Sequence, residues 1–352
     1  MRGVFALLFV CYCGGALAAE LLSPADATAT VKRVANASRK VSFLGTYLYQ
    51  HGVELETFRV ARVVDAEGEY EKREPLEGVA REIVRTNGQV ACFLPEAPAN
   101  PADVKRNALT KLFPALMNDD AVGALTYFSV TRLPNERVVG IDAQVLLLEP
   151  KDSLRYARKL WFDPASGMLL KIASLSRKNE IIEQYAFTEL TVGGVERKQV
   201  KPRYPHRIDI FSPDKNRSDA PKPQAESGWE VRGVPAGYRI VRESKVAVGN
   251  RLTPVSHMWL SDGWGAVSVF IEQLPKPTAS EVPAASPKAA PGNVDAKPAA
   301  GVPHMLINQG VVNVYTRNIN DVSVVVMGNV PEAVVTAIGN GIVPKSPMRP
   351  VQ

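Results

Sequence analysis

Few residues in this chain combine the type and spacing needed to work on a covalent bond. The four histidines, His51, His206, His257 and His304, fall in separate segments with no i, i+4 pair. The sequence contains no H-E-x-x-H, no G-x-S-x-G, no phosphate-binding P-loop and no C-x-x-C. Gly263-Trp264-Gly265 begins a G-x-G, but Ser268 stands where a third glycine is required, and Asp262-Gly263 reads better as a hairpin turn. Asp119-Asp120 reads as a helix end or loop rather than an acid/base pair. No catalytic residue, metal site or cofactor is expected, and the chain is not read as an enzyme.

What remains is binding chemistry. Arg81, Ile83 and Arg85 share one face of a strand. Leu154, Tyr156, Arg158, Leu160 and Phe162 share one face of another and alternate with Arg155, Lys159 and Trp161. Basic side chains beside an apolar concavity suit an amphiphile with an anionic head and acyl tails. The same pattern also describes a core face with charges on an edge strand, and the residues alone leave both open.

The whole chain has 352 residues, of which 45% are hydrophobic and 22% charged, an ordinary globular balance. It is long enough for about two domains. With 42 Lys+Arg against 36 Asp+Glu it carries +6, which favours anionic partners without demanding nucleic acid, and none is expected. Composition excludes a disordered chain, a collagen-like repeat, a disulfide scaffold and a multi-span membrane protein.

Met1-Arg2-Gly3, the apolar run Val4–Cys13 and the small residues Gly14–Ala19 have the layout of a secretory signal cleaved after Ala19. Of three cysteines, Cys92 alone would survive, in a strand-like apolar run where it reads as a buried small hydrophobe. Ser23-Pro24-Ala25-Asp26 opens a helix whose face is Val31, Val34, Ala35, Ser38 and Val41.

The period then changes to two. Strands are expected at 43–50, 53–64, 81–86 and 89–94, with Asn87-Gly88 as a type I′ turn. A helical stretch follows at 103–120, broken at Pro114. Further strands are expected at 125–133, 137–148, 154–162, 168–176 and 180–190. Turns this short force antiparallel pairing, so the fold class is α+β: a large, curved antiparallel sheet or half-barrel with helices. Residues 197–228, basic and punctuated by proline, read as a linker. Residues 229–343 form a second, smaller α+β domain, with a Pro/Ala-rich loop at 274–303 read as disordered. The large domain is then 20–196.

One stretch is more specific. The Tyr49-Gln50-His51-Gly52 turn, Glu56-Thr57-Phe58-Arg59, Glu69-Tyr70-Glu71 and Gly78–Arg85 resemble the MucB/RseB family. So do Arg158–Asp163 with Gly167–Lys171, Leu260–Gly263 with Ala266–Glu272, and Val324–Pro331. The resemblance spans essentially the whole mature chain. It implies a periplasmic regulator of sigma-E, with a large domain similar to the LolA/LppX lipoprotein carriers and a small C-terminal domain. The implied partner is the periplasmic part of a membrane-spanning anti-sigma factor of the RseA or MucA kind. That partner is shielded from proteolysis until lipopolysaccharide or another anionic amphiphile releases it. Homo-oligomerisation is left open, and a LolA-type carrier of lipid or lipoprotein is the alternative.

On that reading Phe43, Tyr47, Phe58, Val60, Leu160 and Phe162 line a lipid site, with Arg81, Arg85 and Arg158 as anion partners. Trp229, Trp259 and Trp264 are the candidate anchors for the anti-sigma factor, because aromatic side chains dominate binding hot spots. The sequence departs from the family at 274–303, where the connection is longer than the resemblance leads one to expect.

Overall fold

A computed structural model describes residues 19–100, 104, 113–211, 228–246, 255–274, 304–309 and 312–345. The expected signal segment up to residue 18, residues 103 and 105–112 of the expected 103–120 helix, residues 212–227 of the basic stretch and 275–303 lie outside the described residues. Of that expected helix, residues 115–118 are irregular and a helix begins only at Asp119.

Helix α1 (Pro24–Lys40) starts as the sequence predicts. Ser23 is the N-cap, its hydroxyl accepting the Asp26 N–H at 3.1 Å, and Pro24 occupies the first turn, where its missing donor costs nothing. Ala27, Val31, Val34, Ala35 and Ser38 are buried against the sheet.

Twelve antiparallel strands make the large sheet. They are β1 (Glu20–Leu21), β2 (Phe43–His51), β3 (Glu54–Asp65), β4 (Gly68–Pro75), β5 (Glu82–Thr86), β6 (Gln89–Leu94), β7 (Phe128–Val138), β8 (Ile141–Pro150), β9 (Ala157–Phe162), β10 (Leu169–Leu175), β11 (Ile181–Val192) and β12 (His206–Phe211). Their spatial order is β1-β7-β8-β9-β10-β11-β2-β3-β4-β5-β6-β12, so the long-range steps are β1 with β7, β11 with β2 and β6 with β12. A short helix, α2 (Asp119–Gly123), precedes β7.

Asn87 and Gly88 both take positive φ, 47° and 86°, as a type I′ turn requires. The β7–β8 turn differs from expectation. Pro134–Glu136 reads as the break, yet β7 runs through it with a register shift between Leu133 and Glu136, and the chain reverses at Val139-Gly140.

Strand β4 was not among the expected strands. Of its charges Glu71, Arg73 and Glu74 are buried and paired, while Glu69 is exposed. Arg73 donates to Glu71 at 2.7 Å and to the Phe113 carbonyl at 2.9 Å, and Arg62 donates to the other Glu71 oxygen at 3.2 Å.

The basic stretch also differs from a free linker over its described part. Arg197 is bound to Asp65 and Glu67, and Arg203 to Glu82 and Glu74. Strand β12 then pairs with β6 as the edge of the large sheet.

The smaller unit holds β13 (Trp229–Val231), β14 (Arg239–Val246), β15 (Val255–Ser261), β16 (Ala266–Gln273), β17 (His304–Gln309), β18 (Val312–Ile319), β19 (Val322–Gly328), helix α3 (Glu332–Gly341) and β20 (Ile342–Pro344). Six strands form an antiparallel sheet in the order β14-β15-β16-β19-β18-β17, and β13 pairs with β20. Val334, Val335 and Ile338 of α3 pack on Met258, Leu260, Val267, Val269, Val324 and Val326. Pro331 is the N-cap of α3 rather than its first helical residue.

Candidate functional site: a cleft between the two domains

The joint between domains is built around one tight turn. Between β15 and β16, Asp262 Oδ1 accepts the N–H groups of Trp264 (2.9 Å) and Gly265 (2.8 Å), and Ser261 Oγ accepts that of Gly263 (3.0 Å). Gly263 has φ +93°, and a Cβ on it would lie 2.4 Å from the Ala121 nitrogen, so glycine alone fits against α2. The turn delivers Trp264, whose indole N–H donates to the Ala121 carbonyl at 2.9 Å. From the large domain Arg158 donates to the Trp264 carbonyl at 3.0 Å and to Ser174 Oγ, with its guanidinium 5.9 Å from the indole centroid.

Beside this joint lies a cleft of about 310 Å³. Leu116, Ile172, Tyr185, Trp259 and Trp264 supply its apolar wall; Arg158, Ser174, Glu183 and Asn329 supply polar groups. Glu183 is only 4% exposed, and its oxygens accept from Tyr49 Oη at 3.2 Å and from Asn329 Nδ2, across the joint, at 3.3 Å. Burial, reinforced by the Glu183 charge, pushes the Tyr49 and Tyr185 hydroxyls above their ordinary range, so both stay protonated donors. Aromatic walls with a few fixed polar groups suit a peptide side chain or a small amphiphile rather than bond-breaking chemistry. Among the described residues no group of three His, Cys, Asp or Glu side chains converges as a metal site.

The structure divides the residues expected from the sequence. Phe43, Tyr47, Phe58, Val60, Leu160 and Phe162 are all buried in one core and do not line this cleft. Tyr47 stacks on Phe58 at 5.2 Å, and Phe113 fills the space between Tyr47 (5.1 Å), Tyr185 (5.5 Å) and Phe187 (4.8 Å). The concave side of this sheet is packed with its own aromatics at that point.

Arg158 reaches the cleft. Arg81 and Arg85 do not; they flank Ile83, beside the buried cluster Ile83, Val90, Cys92 and Leu94. Burial lowers the pKa of Arg85. Trp259, 40% exposed, and Trp264 meet in the cleft, whereas Trp229 packs at the margin of the small-domain core. Sequence reasoning missed Glu183, Tyr185 and Ile172. The signal for Glu183 was present: it is a charged residue at an inward position of β11, two before Tyr185 and four before Phe187.

The MucB/RseB N-terminal domain model matches residues 26–204, and the MucB/RseB C-terminal domain model matches residues 223–288. The chain is 27% identical over 262 residues to the sigma factor AlgU regulatory protein MucB of Pseudomonas aeruginosa, covering 74% of this chain and 79% of that one. It is 20% identical over 220 residues to the sigma-E factor regulatory protein RseB of Haemophilus influenzae, covering 62% and 67%. Among solved structures, MucB in the MucA/MucB complex of Pseudomonas aeruginosa superposes with a TM-score of 0.69 at 22% identity, over 91% of this chain and 99% of that one, which shows the shared two-domain fold. The match of both domain models, over most of the residues that build the sheet and the joint, makes this chain a member of the MucB/RseB family.

Proposed function

We propose that this chain is a periplasmic negative regulator of a sigma-E type envelope-stress response. It holds the periplasmic segment of a membrane-spanning anti-sigma factor and shields that segment from proteolysis. Lipopolysaccharide, or another anionic amphiphile, releases it. The observation that carries the reading is the cleft, where Trp259 and Trp264 stand beside Arg158 and the buried Glu183 at the meeting of both domains. Indole anchors next to fixed polar groups are the composition of a peptide-binding hot spot.

The filled interior around Tyr47 and Phe113 favours a regulator over a LolA-type carrier, which needs room for acyl chains. An anionic head is better served by Arg81 and Arg85, beside the small apolar cluster of Ile83, Val90, Cys92 and Leu94. Release then follows from linkage: a ligand that prefers the free regulator weakens the partner by the same factor, and tenfold needs only about 1.4 kcal/mol.

The test is calorimetric titration of the chain from residue 20 with the periplasmic segment of an anti-sigma factor, with and without lipopolysaccharide. Binding weakened by lipopolysaccharide supports the proposal. Amphiphile binding with no peptide binding returns the chain to the carrier class.

A further inference from the structure

Arg155 lies two residues before β9, is 5% exposed, and reaches three parts of the chain. Within the large domain its guanidinium pairs with Asp152. Across the joint, Nε approaches Asp262 Oδ2 at 2.9 Å as an ion pair, and Nη2 donates to the Ala236 carbonyl at 2.6 Å. Its plane lies between a tyrosine from each domain, 4.0 Å from the Tyr127 centroid and 5.6 Å from that of Tyr238. A planar fork with several donors can make these contacts at once, which an ammonium cannot.

Arg155 borders a cavity of about 960 Å³ with Asp152, Tyr156, Asn313 and Glu332, but its guanidinium is tightly enclosed on the side of Gly237 and Asp262. Gly237 takes φ +85°, and a Cβ there would fall 2.2 Å from Arg155 Nη2 and 2.7 Å from the Tyr127 ring. The void left between Arg155, Tyr238, Asp262 and Trp264 is about 10 Å³, at the lower limit for one water. The Asp262 side chain is fully buried; its Oδ1 holds the turn that carries Trp264, and its Oδ2 faces Arg155. Further polar contacts cross the joint, Arg239 to Asp120 at 2.6 Å, Tyr238 Oη to the Leu154 carbonyl at 3.3 Å and Asn313 to Tyr156 Oη at 3.2 Å, beside apolar ones in which Trp264 packs on Phe128 and Leu154 on the small-domain core.

We propose that Arg155 is the positioning residue that fixes the angle between the two domains and, through Asp262, holds Trp264 in place as a wall of the cleft. Arg155 does not itself line that cleft. Its effect on a bound partner is therefore indirect, and only that second effect rests on the function proposed above.

The experiment uses the full mature chain and three variants: R155K, R155M and R155M/D262N. R155M leaves the Asp262 carboxylate buried without its cation, which can unfold the turn; the double variant removes both charges and keeps the test valid. Far-UV circular dichroism checks folding, small-angle X-ray scattering reads the domain arrangement, and titration with the anti-sigma segment reads the cleft. The double variant keeps the wild-type dichroism, its scattering shows a larger maximum dimension, and its affinity for the segment falls at least tenfold. R155K retains the charge but does not restore the compact arrangement.

A folded double variant with wild-type scattering overturns the proposal, whatever its affinity. If the wild-type chain does not bind the segment, the functional reading fails, while the scattering comparison still decides the role of Arg155.

Discussion

Trp264 donates its indole N–H to the carbonyl oxygen of Ala121 at 2.9 Å, across 143 residues of sequence. The bond joins the only turn between β15 and β16 to the short helix ahead of β7, so the cleft wall and the domain joint are one structure. Replacing Trp264 by Phe keeps an aromatic body and deletes the donor. The expected loss is about 1 kcal/mol of stability, read as a lower denaturant midpoint. An unchanged midpoint would show that water replaces the bond at no cost.

Trp259 separates binding from stability. It is 40% exposed on the wall of the cleft, so W259A should change stability by no more than about 0.5 kcal/mol. Affinity for the anti-sigma segment is expected to fall by at least tenfold. Equal affinities for wild type and variant would place the partner elsewhere.

The buried pair Glu71–Arg73 should behave differently from the surface pairs. Both side chains are under 7% exposed, and the pair sits against Tyr47, whose hydroxyl is pushed up to about 12 by burial, partly offset by Arg73. R73M strands Glu71 in the sheet and is expected to cost about 3–5 kcal/mol. Chemical denaturation measures it, and a cost below 1 kcal/mol would mean that Arg62 alone suffices for Glu71.

Acid should weaken the large domain in a defined window. Burial raises the pKa of Glu71, but the nearby Arg73 and Arg62 outweigh it and leave the carboxyl below its ordinary value. Burial likewise raises the pKa of Glu82, but the backbone N–H and guanidinium of Arg203, with Lys72, outweigh it and leave that carboxyl below its ordinary value. Both groups bind protons less readily folded than unfolded. Their contribution is thus complete above the unfolded carboxylate value of about 4.3 and is lost as pH falls through the folded values. Melting curves from pH 7 down to pH 3 should show falling Tm below about pH 4.5, with a smaller fall in E71Q/E82Q. Identical slopes for the two proteins would rule out these carboxylates as the cause.

Cys92 has no exposure, and burial pushes its thiol up. In the chain from residue 20 it should resist a thiol reagent under native conditions and react fully in denaturant. Rapid native labelling would show that β6 opens locally.

The parts of this fold that were legible are those governed by neighbours in sequence. The Ser23-Pro24 start of α1, the Asn87-Gly88 turn and the alternating strands β9 to β11 need only local propensity. The parts that were not legible depend on partners far along the chain. Strand β4 is held by Glu71 meeting Arg62 and Arg73, and the basic stretch reads as a linker until Arg203 finds Glu82, 121 residues away. The β7–β8 reversal falls at Val139, a β-branched residue with φ 46°, while Pro134-Asn135 carries the turn-like composition but sits in an irregular strand. In the cleft, period-two alternation pointed to Arg158 and aromatic content to Trp259 and Trp264. Nothing local distinguished the six core residues Phe43, Tyr47, Phe58, Val60, Leu160 and Phe162 from a lining, because a filled concavity and an open one share the same pattern.

The central claim is that the chain grips an anti-sigma factor through the cleft of Trp259 and Trp264, and calorimetric titration of wild type and W259A/W264F with the periplasmic segment tests it most directly. The account predicts binding by the wild type, weakened by lipopolysaccharide, and at least a hundredfold weaker binding by the variant. Wild-type affinity in a folded W259A/W264F would contradict it.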